Sequence, residues 1–266
     1  MKNISKLFYK DYYSKVDFSY VLTEQATTKT KNELVPSEEI NKVNNTILKA
    51  RLYKIPANPL VNSVISDMKV AYPGLVTGVG LVHDSKKLDG AFNLGIHLDY
   101  TFGMPVVYGS SVKGVLHSFF REFYNGNMAA VDLCKDIFEG KNRDFAEEKK
   151  KYGNWADTVE KRIYRKKSIY KRDIFFDAVV VSPDAKGRIL TSDSITPHGD
   201  DPLKNPTPIA FLKIASGCGL EFRFRLVDSV IGNKTFSKNE KKELFLSILK
   251  TVGIGAKTNV GYGQFE

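Results

Sequence analysis

Residues 220–227, Leu-Glu-Phe-Arg-Phe-Arg-Leu-Val, alternate apolar and charged side chains over a full strand length. Successive side chains of a strand point to opposite faces, so Leu220, Phe222, Phe224 and Leu226 share one face and Glu221, Arg223 and Arg225 the other. Such a strand belongs to an antiparallel sheet covered on one side only. Two amphipathic segments are available to cover it. Val112, Val115, Leu116, Phe119, Phe120 and Phe123 form one helical face, with Ser110 or Ser111 placed to cap its start. Ser237-Lys-Asn-Glu240 reads as a capping box opening a helix with Leu244, Phe245, Ile248 and Leu249 inward.

The remaining segments fit the same plan. Runs at 75–82 and 92–102 read as half-buried strands, Ile174-Phe-Phe-Asp-Ala-Val-Val-Val-Ser as a strand, and 188–195 as its return after the turn at Pro183-Asp-Ala-Lys-Gly. Ile209-Ala-Phe-Leu-Lys-Ile precedes the alternating strand, and a helix is expected over 128–138. The order of strands, helix, antiparallel strands, helix and strand predicts one α+β domain over 1–266, of ferredoxin-like (RRM-like) type with helices on one face of the sheet. Residues 1–70 read as an N-terminal extension packed on the core, with helical spacing at Ile40, Val43, Ile47 and Leu48.

The chain carries 40 Lys and Arg against 30 Asp and Glu, a formal charge of +10 that favours an acidic partner such as RNA. Residues 141–173 hold 12 Lys and Arg against 6 Asp and Glu, with Tyr152, Trp155, Tyr164 and Tyr170 interspersed, and read as a basic insertion, partly helical or mobile. Cys134 and Cys218 lie far apart in no CxxC pair, which indicates two buried reduced thiols rather than a disulfide framework or a zinc module. The polar N-terminus lacks the apolar core of a signal peptide, and no run approaches the ~18 apolar residues of a membrane span. A cytoplasmic protein without membrane contact is expected.

Two stretches carry candidate chemistry. Gly253-Ile-Gly-Ala-Lys-Thr-Asn-Val-Gly-Tyr-Gly is neither a Walker loop, since Ala256 precedes Lys257, nor a dinucleotide fingerprint, since Thr258 stands at its third glycine. Gly253, Gly255, Gly261 and Gly263 let backbone N–H groups approach an anion, with Lys257, Thr258 and Asn259 between them and Tyr262 able to stack on a base. The same glycines serve equally well as a tight turn. The helix start at Ser110, Ser111, Lys113 and Gly114 is a second anion candidate, extended by His117 and Arg121 at four-residue spacing. Its ordinary reading is a solvent face. His83, His97, His117 and His198 fall in no metal-ligand spacing, and no cofactor or metal is expected. His83-Asp84 and His198-Gly-Asp-Asp201 are weak candidates for acid–base chemistry.

Three stretches together resemble one family. Gly103-Met-Pro-Val-Val-Tyr-Gly-Ser-Ser-Val-Lys-Gly-Val-Leu is similar to the helix entry of RAMP proteins, the repeat-associated RNA-binding subunits of CRISPR systems, and the glycine-rich tail to their C-terminal loop. Between them, Phe176-Asp-Ala, Thr196-Pro-His and Pro206-Thr-Pro-Ile-Ala-Phe resemble a subunit of type III-B (Cmr) effector complexes. The resemblance runs from about Val76 to the end. It implies a non-catalytic subunit that holds the 3′ part of a guide RNA near the end of a helical ribonucleoprotein in antiviral defence. Partners would be guide RNA and neighbouring RAMP subunits, with target RNA as a further candidate. Gln264 stands where many relatives carry an arginine. The competing expectation is a metal-independent RAMP endoribonuclease that processes repeat RNA with His83 or His117 as base. A third is a protein-only assembly module.

Overall fold

The computed structural model describes residues 3–14, 37–53, 63–81, 90–123, 127–153, 162–196 and 208–266. In chain order the elements are α1 (Ile4–Lys6, continued by a π-helical turn at Leu7–Asp11), α2 (Ser37–Leu48), β1 (Val64–Lys69), β2 (Val106–Val107), α3 (Gly109–Phe123) and α4 (Met128–Cys134, continued by a π-helical turn at Lys135–Glu139). There follow β3 (Lys141–Arg143), α5 (Phe145–Tyr152), β4 (Tyr164–Lys166), β5 (Ile174–Phe175), β6 (Ala178–Ser182), β7 (Leu190–Ile195), β8 (Ile209–Ile214), β9 (Gly219–Arg225), β10 (Ser229–Ile231), β11 (Lys234–Phe236) and α6 (Lys238–Val252).

The alternating strand, β9, is the centre of the main sheet. The order is β1-β9-β6-β2, with β5 also on β9, and every pairing is antiparallel. Leu220, Phe222 and Phe224 are buried, as the alternation requires. Phe224 meets Phe245 of α6 at 5.7 Å between ring centres, and Phe222 meets Phe265 of the tail edge-on at 5.5 Å. Each buried ring contributes roughly 1.5–3 kcal/mol. A one-residue slip would turn Arg223 and Arg225 into this core, which pins the register. Val112, Leu116 and Phe120 of α3 join the same core, as do Ile4 and Phe8 of the N-terminal helix and Ile40 and Ile47 of α2. The capping box of α6 forms as expected, with Ser237 and Glu240 each bonding the other's backbone N–H. Leu244 departs from its expected place and lies at the surface, while Lys241 turns inward. Its ammonium is held by Asp173 at 2.6 Å and the Val227 carbonyl at 2.7 Å.

Several strands fall elsewhere than the pattern suggests. The runs from Leu75 and over 92–102 make only single bridges, Leu75 to Ile214, Val76 to Ala256, Leu94 to Phe211 and Leu98 to Pro105. Glycines break them: Gly78 has a positive φ of 70°, and a Cβ on Gly95 would lie 2.0 Å from the Leu81 carbonyl. The first strand of the sheet is β1, inside the segment read as an extension. It sits at an edge, and its mixed Val-Ile-Ser-Asp-Met-Lys sequence hides it. β7 does not return on β6. It pairs with β8, because Asp184 accepts bonds from the N–H groups of Lys186 and Arg188 and turns the chain away.

The described parts of the basic insertion are folded. β3 and β4 form an antiparallel hairpin around α5, which Asp144 caps. Buried ion pairs clamp it to α4 and the turn that continues it, Arg162 with Asp132 at 2.6 Å and Lys167 with Asp136 at 2.6 Å, and within the insertion Arg143 holds Glu148 at 2.8 Å. Burial opposes ionisation of Glu148, but the Arg143 guanidinium, the Ile163 N–H and Arg162 together hold its carboxyl below the ordinary value of 4.5. A depressed carboxyl stabilises the fold above its unfolded pKa, and that contribution disappears as pH falls through the folded value. Thermal unfolding across pH should therefore show stability falling below pH 4.5. Glu148→Gln should be less stable at neutral pH and lose less on acidification.

Candidate nucleic-acid interface

The start of α3 differs from its expected form. Tyr108 supplies the first accepting carbonyl, to the N–H groups of Ser111 at 2.8 Å and Val112 at 3.1 Å. The helix therefore opens at Gly109, and Ser110 and Ser111 lie in its first turn rather than at the cap. The Gly109 N–H donates to the Asp177 carboxylate at 2.7 Å. An internal anion thus already occupies part of the helix's positive end, a position sequence reading assigned to an external phosphate. Asp177 lies 68 residues away in the chain, and no local pattern announces the contact.

The tail is stitched to the segment around 70–76. The N–H of Ala256 bonds the Val76 carbonyl at 2.8 Å, that of Gly263 bonds Gly74 at 2.8 Å, and that of Ile254 bonds Gly263 at 2.9 Å. A Cβ on Gly255 would stand 2.3 Å from the Val76 carbonyl and one on Gly263 1.9 Å from that of Ile254, both at positive φ. These glycines answer to close backbone packing. Thr258, Asn259 and Val260 make a single 3-10 turn between Lys257, left-handed at φ 62°, and Gly261. Left-handed backbone costs a non-glycine residue roughly 1–2 kcal/mol. Tyr262 is enclosed rather than open to a base: its hydroxyl donates to Asp193 at 2.7 Å and its ring meets Phe211 edge-on. Burial, reinforced by Asp193, pushes this phenol up to about 12.

Helix and tail do converge. Ser111, Gly114, Ser118 and Glu122 of α3 face Gly253, Gly255 and Thr258 across a groove of ≈ 800 Å³. Its walls are largely apolar, with Val107, Val115, Phe119, Val252 and Ile254, and among the described residues no Lys or Arg lines it. Lys257 stands between the lining residues Ala256 and Thr258. Gly114 is exposed, and a Cβ there would touch nothing within 4 Å. His97 closes one side of the groove, its ring stacked on Tyr108 at 4.3 Å and its Nδ1 buried with no partner among the described residues. Burial lowers its pKa, against the pull of Asp177. Sequence reading gave His97 and Tyr108 no site role, because only the fold juxtaposes them.

The expected row of Lys113, His117 and Arg121 does not join this groove. His117 and Arg121 line a separate recess of ≈ 280 Å³ with Val131, Cys134, Lys135 and Glu139. His117 stacks on Phe138 at 5.0 Å. Its pKa is lowered by burial first, then by Arg121, Lys113 and Lys135, with Glu139 opposing. Lys113 is exposed. Both cysteines are free and buried, their thiols pushed up to about 11 by burial. Among the described residues no cluster fits a metal ion, and no helix is long and apolar enough to cross a membrane. His83, Asp84, Trp155 and the loop with His198, Asp200 and Asp201 lie outside the described residues.

The two kinds of glycine separate in a stability measurement. Gly114→Ala should raise stability by about 0.5–1 kcal/mol, since it only removes a helix-interior glycine. Gly263→Ala should cost about 1–3 kcal/mol through strain and collision. Urea unfolding of the two variants checks both signs.

The model of the RAMP superfamily matches residues 67–266, starting earlier than the sequence resemblance and spanning the basic insertion. No curated protein matches the sequence. Among solved structures, a chain of a type III-B Cmr-β complex bound to cognate target RNA is 18% identical and covers 99% of this chain and 94% of its own, with a TM-score of 0.50. Cmr6 from Pyrococcus furiosus is also 18% identical, covering 76% of this chain and 97% of its own at a TM-score of 0.33.

Proposed function

Because the chain belongs to the RAMP superfamily, we propose that it is a non-catalytic, RNA-binding structural subunit of a type III-B CRISPR ribonucleoprotein. In this reading it is built on a ferredoxin-like core, holds the 3′ part of the guide RNA and caps the backbone filament in antiviral defence, with other RAMP subunits as its protein partners. The observation that carries the reading is Gly114. An exposed glycine in a helix interior weakens the helix, and none of the described residues packs against it. Its bare backbone instead faces the groove shared with the tail. A subunit that accepts any spacer sequence must grip sugar and phosphate rather than base edges. Ser110, Ser111 and Gly114 on one side, with Lys257, Thr258 and Asn259 on the other, offer hydroxyl, amide and ammonium groups for that purpose. The apolar walls between them suit ribose and base faces. The fold shared with a chain of the Cmr-β complex supports the same assignment.

Reconstitution with guide RNA and neighbouring RAMP subunits tests the groove. Gly114→Leu, which fills it without touching the core, should lower incorporation roughly tenfold, equivalent to about 1.4 kcal/mol. Incorporation equal to that of the unmodified chain would remove Gly114 from the RNA path. Incubation of the pure chain with repeat RNA in the absence of divalent metal should yield no product. Product that disappears in His117→Ala would replace the structural reading with the endoribonuclease one.

A further inference from the structure

We infer that a basic track on the α4 side of α3, through Arg121, Lys135, Lys141 and Lys166, is a second binding surface for the phosphate backbone of a single-stranded nucleic acid, separate from the groove. The inference rests on the reading of the chain as an RNA-binding protein and adds residues from the insertion to it.

The cations are contiguous. Arg121 and Lys135 line one recess with His117 and Glu139. Lys135 and Lys141 both reach Glu139, and Lys141 stands directly opposite Lys166 in the hairpin register. Two lysines facing each other across an antiparallel pair destabilise it. One carboxylate, Glu139, is shared between two ammonium groups. Among the other described acids of this region, Asp132, Asp136 and Glu148 are buried in pairs with Arg162, Lys167 and Arg143, while Asp144 and Glu147 both meet Arg165. These described acids are each engaged by a cation, and Lys166 remains exposed to solvent.

Aromatic rings distinguish a nucleic acid from an acidic peptide as the occupant. Lys135 lies over the Tyr164 ring at 5.2 Å, and Tyr170, just beyond β4, is 78% exposed. A cation over one ring beside a second, exposed ring matches a strand that offers phosphates on one side and base faces on the other.

Binding of the full chain to a mixed-sequence single-stranded RNA, followed by fluorescence anisotropy over a salt series, tests the track. Each phosphate contact on a single strand contributes about 0.7 to the slope of log K against log salt. The triple variant Lys135→Glu, Lys141→Glu, Lys166→Glu should lose about two from that slope and bind roughly tenfold or more weakly. The triple Lys→Gln variant, less disruptive to folding, should shift both quantities the same way by less. An unchanged slope in the Lys→Gln protein with an unaltered melting curve overturns the inference. So does the absence of RNA binding by the unmodified chain at low salt, or equal displacement by polyglutamate of matched charge. Gly114→Leu separates this surface from the groove in the same assay. Loss there with none in the lysine variants leaves the groove and removes the track, and the reverse leaves the track and removes the groove.

Discussion

The candidate interface depends on a set of main-chain hydrogen bonds that tie the last residues of the chain to the segment after β1. Glu266, Gly263 and Ala256 donate to Lys69, Gly74 and Val76, and Ala71 donates to Gln264. Such bonds require two backbones to approach without side chains between them, which is why Gly255 and Gly263 cannot carry a Cβ. Without this seam the tail would not stand beside α3, and the groove would have one wall. The seam also brings Phe265 onto Phe222, so the main core and the interface share one support.

The parts legible in sequence were those governed by local physics. Alternation identified β9 and its buried face, helical spacing identified α2 and α3, and spacing with a capping box identified α6. β1 and the pairing of β7 with β8 were not legible, because an edge strand carries a weak pattern and partner choice is set by a turn, here the one built on Asp184. In the candidate site, the helix start and the tail each stood out in the sequence as motifs. The division of charge did not. Lys113, His117 and Arg121 share a helix face with one another, but only the position of α4 decides what that face looks upon. Lys241 shows the same limit: a lysine inside a helical pattern reads as solvent-facing until Asp173 and Val227 supply its partners.

The two sides of α3 have different chemistry. One presents small side chains and bare backbone to an apolar groove, and the other presents cations to a recess continuous with the insertion. A single helix can serve both because residues three or four apart stay on one face. The insertion extends the second side and leaves the first unchanged. Its buried ion pairs hold it in place, where replacing one partner would strand a charge in a dry interior.

Asp177 at the head of α3 has a consequence for recognition. A helix end left open would reward any small anion that fits its N–H groups, and discrimination would rest on size. With a resident carboxylate seated there, free phosphate and sulfate gain little from the dipole. Attraction of an anion to this face would then have to come from long side chains spread over many ångströms, which would favour extended polymers over small anions.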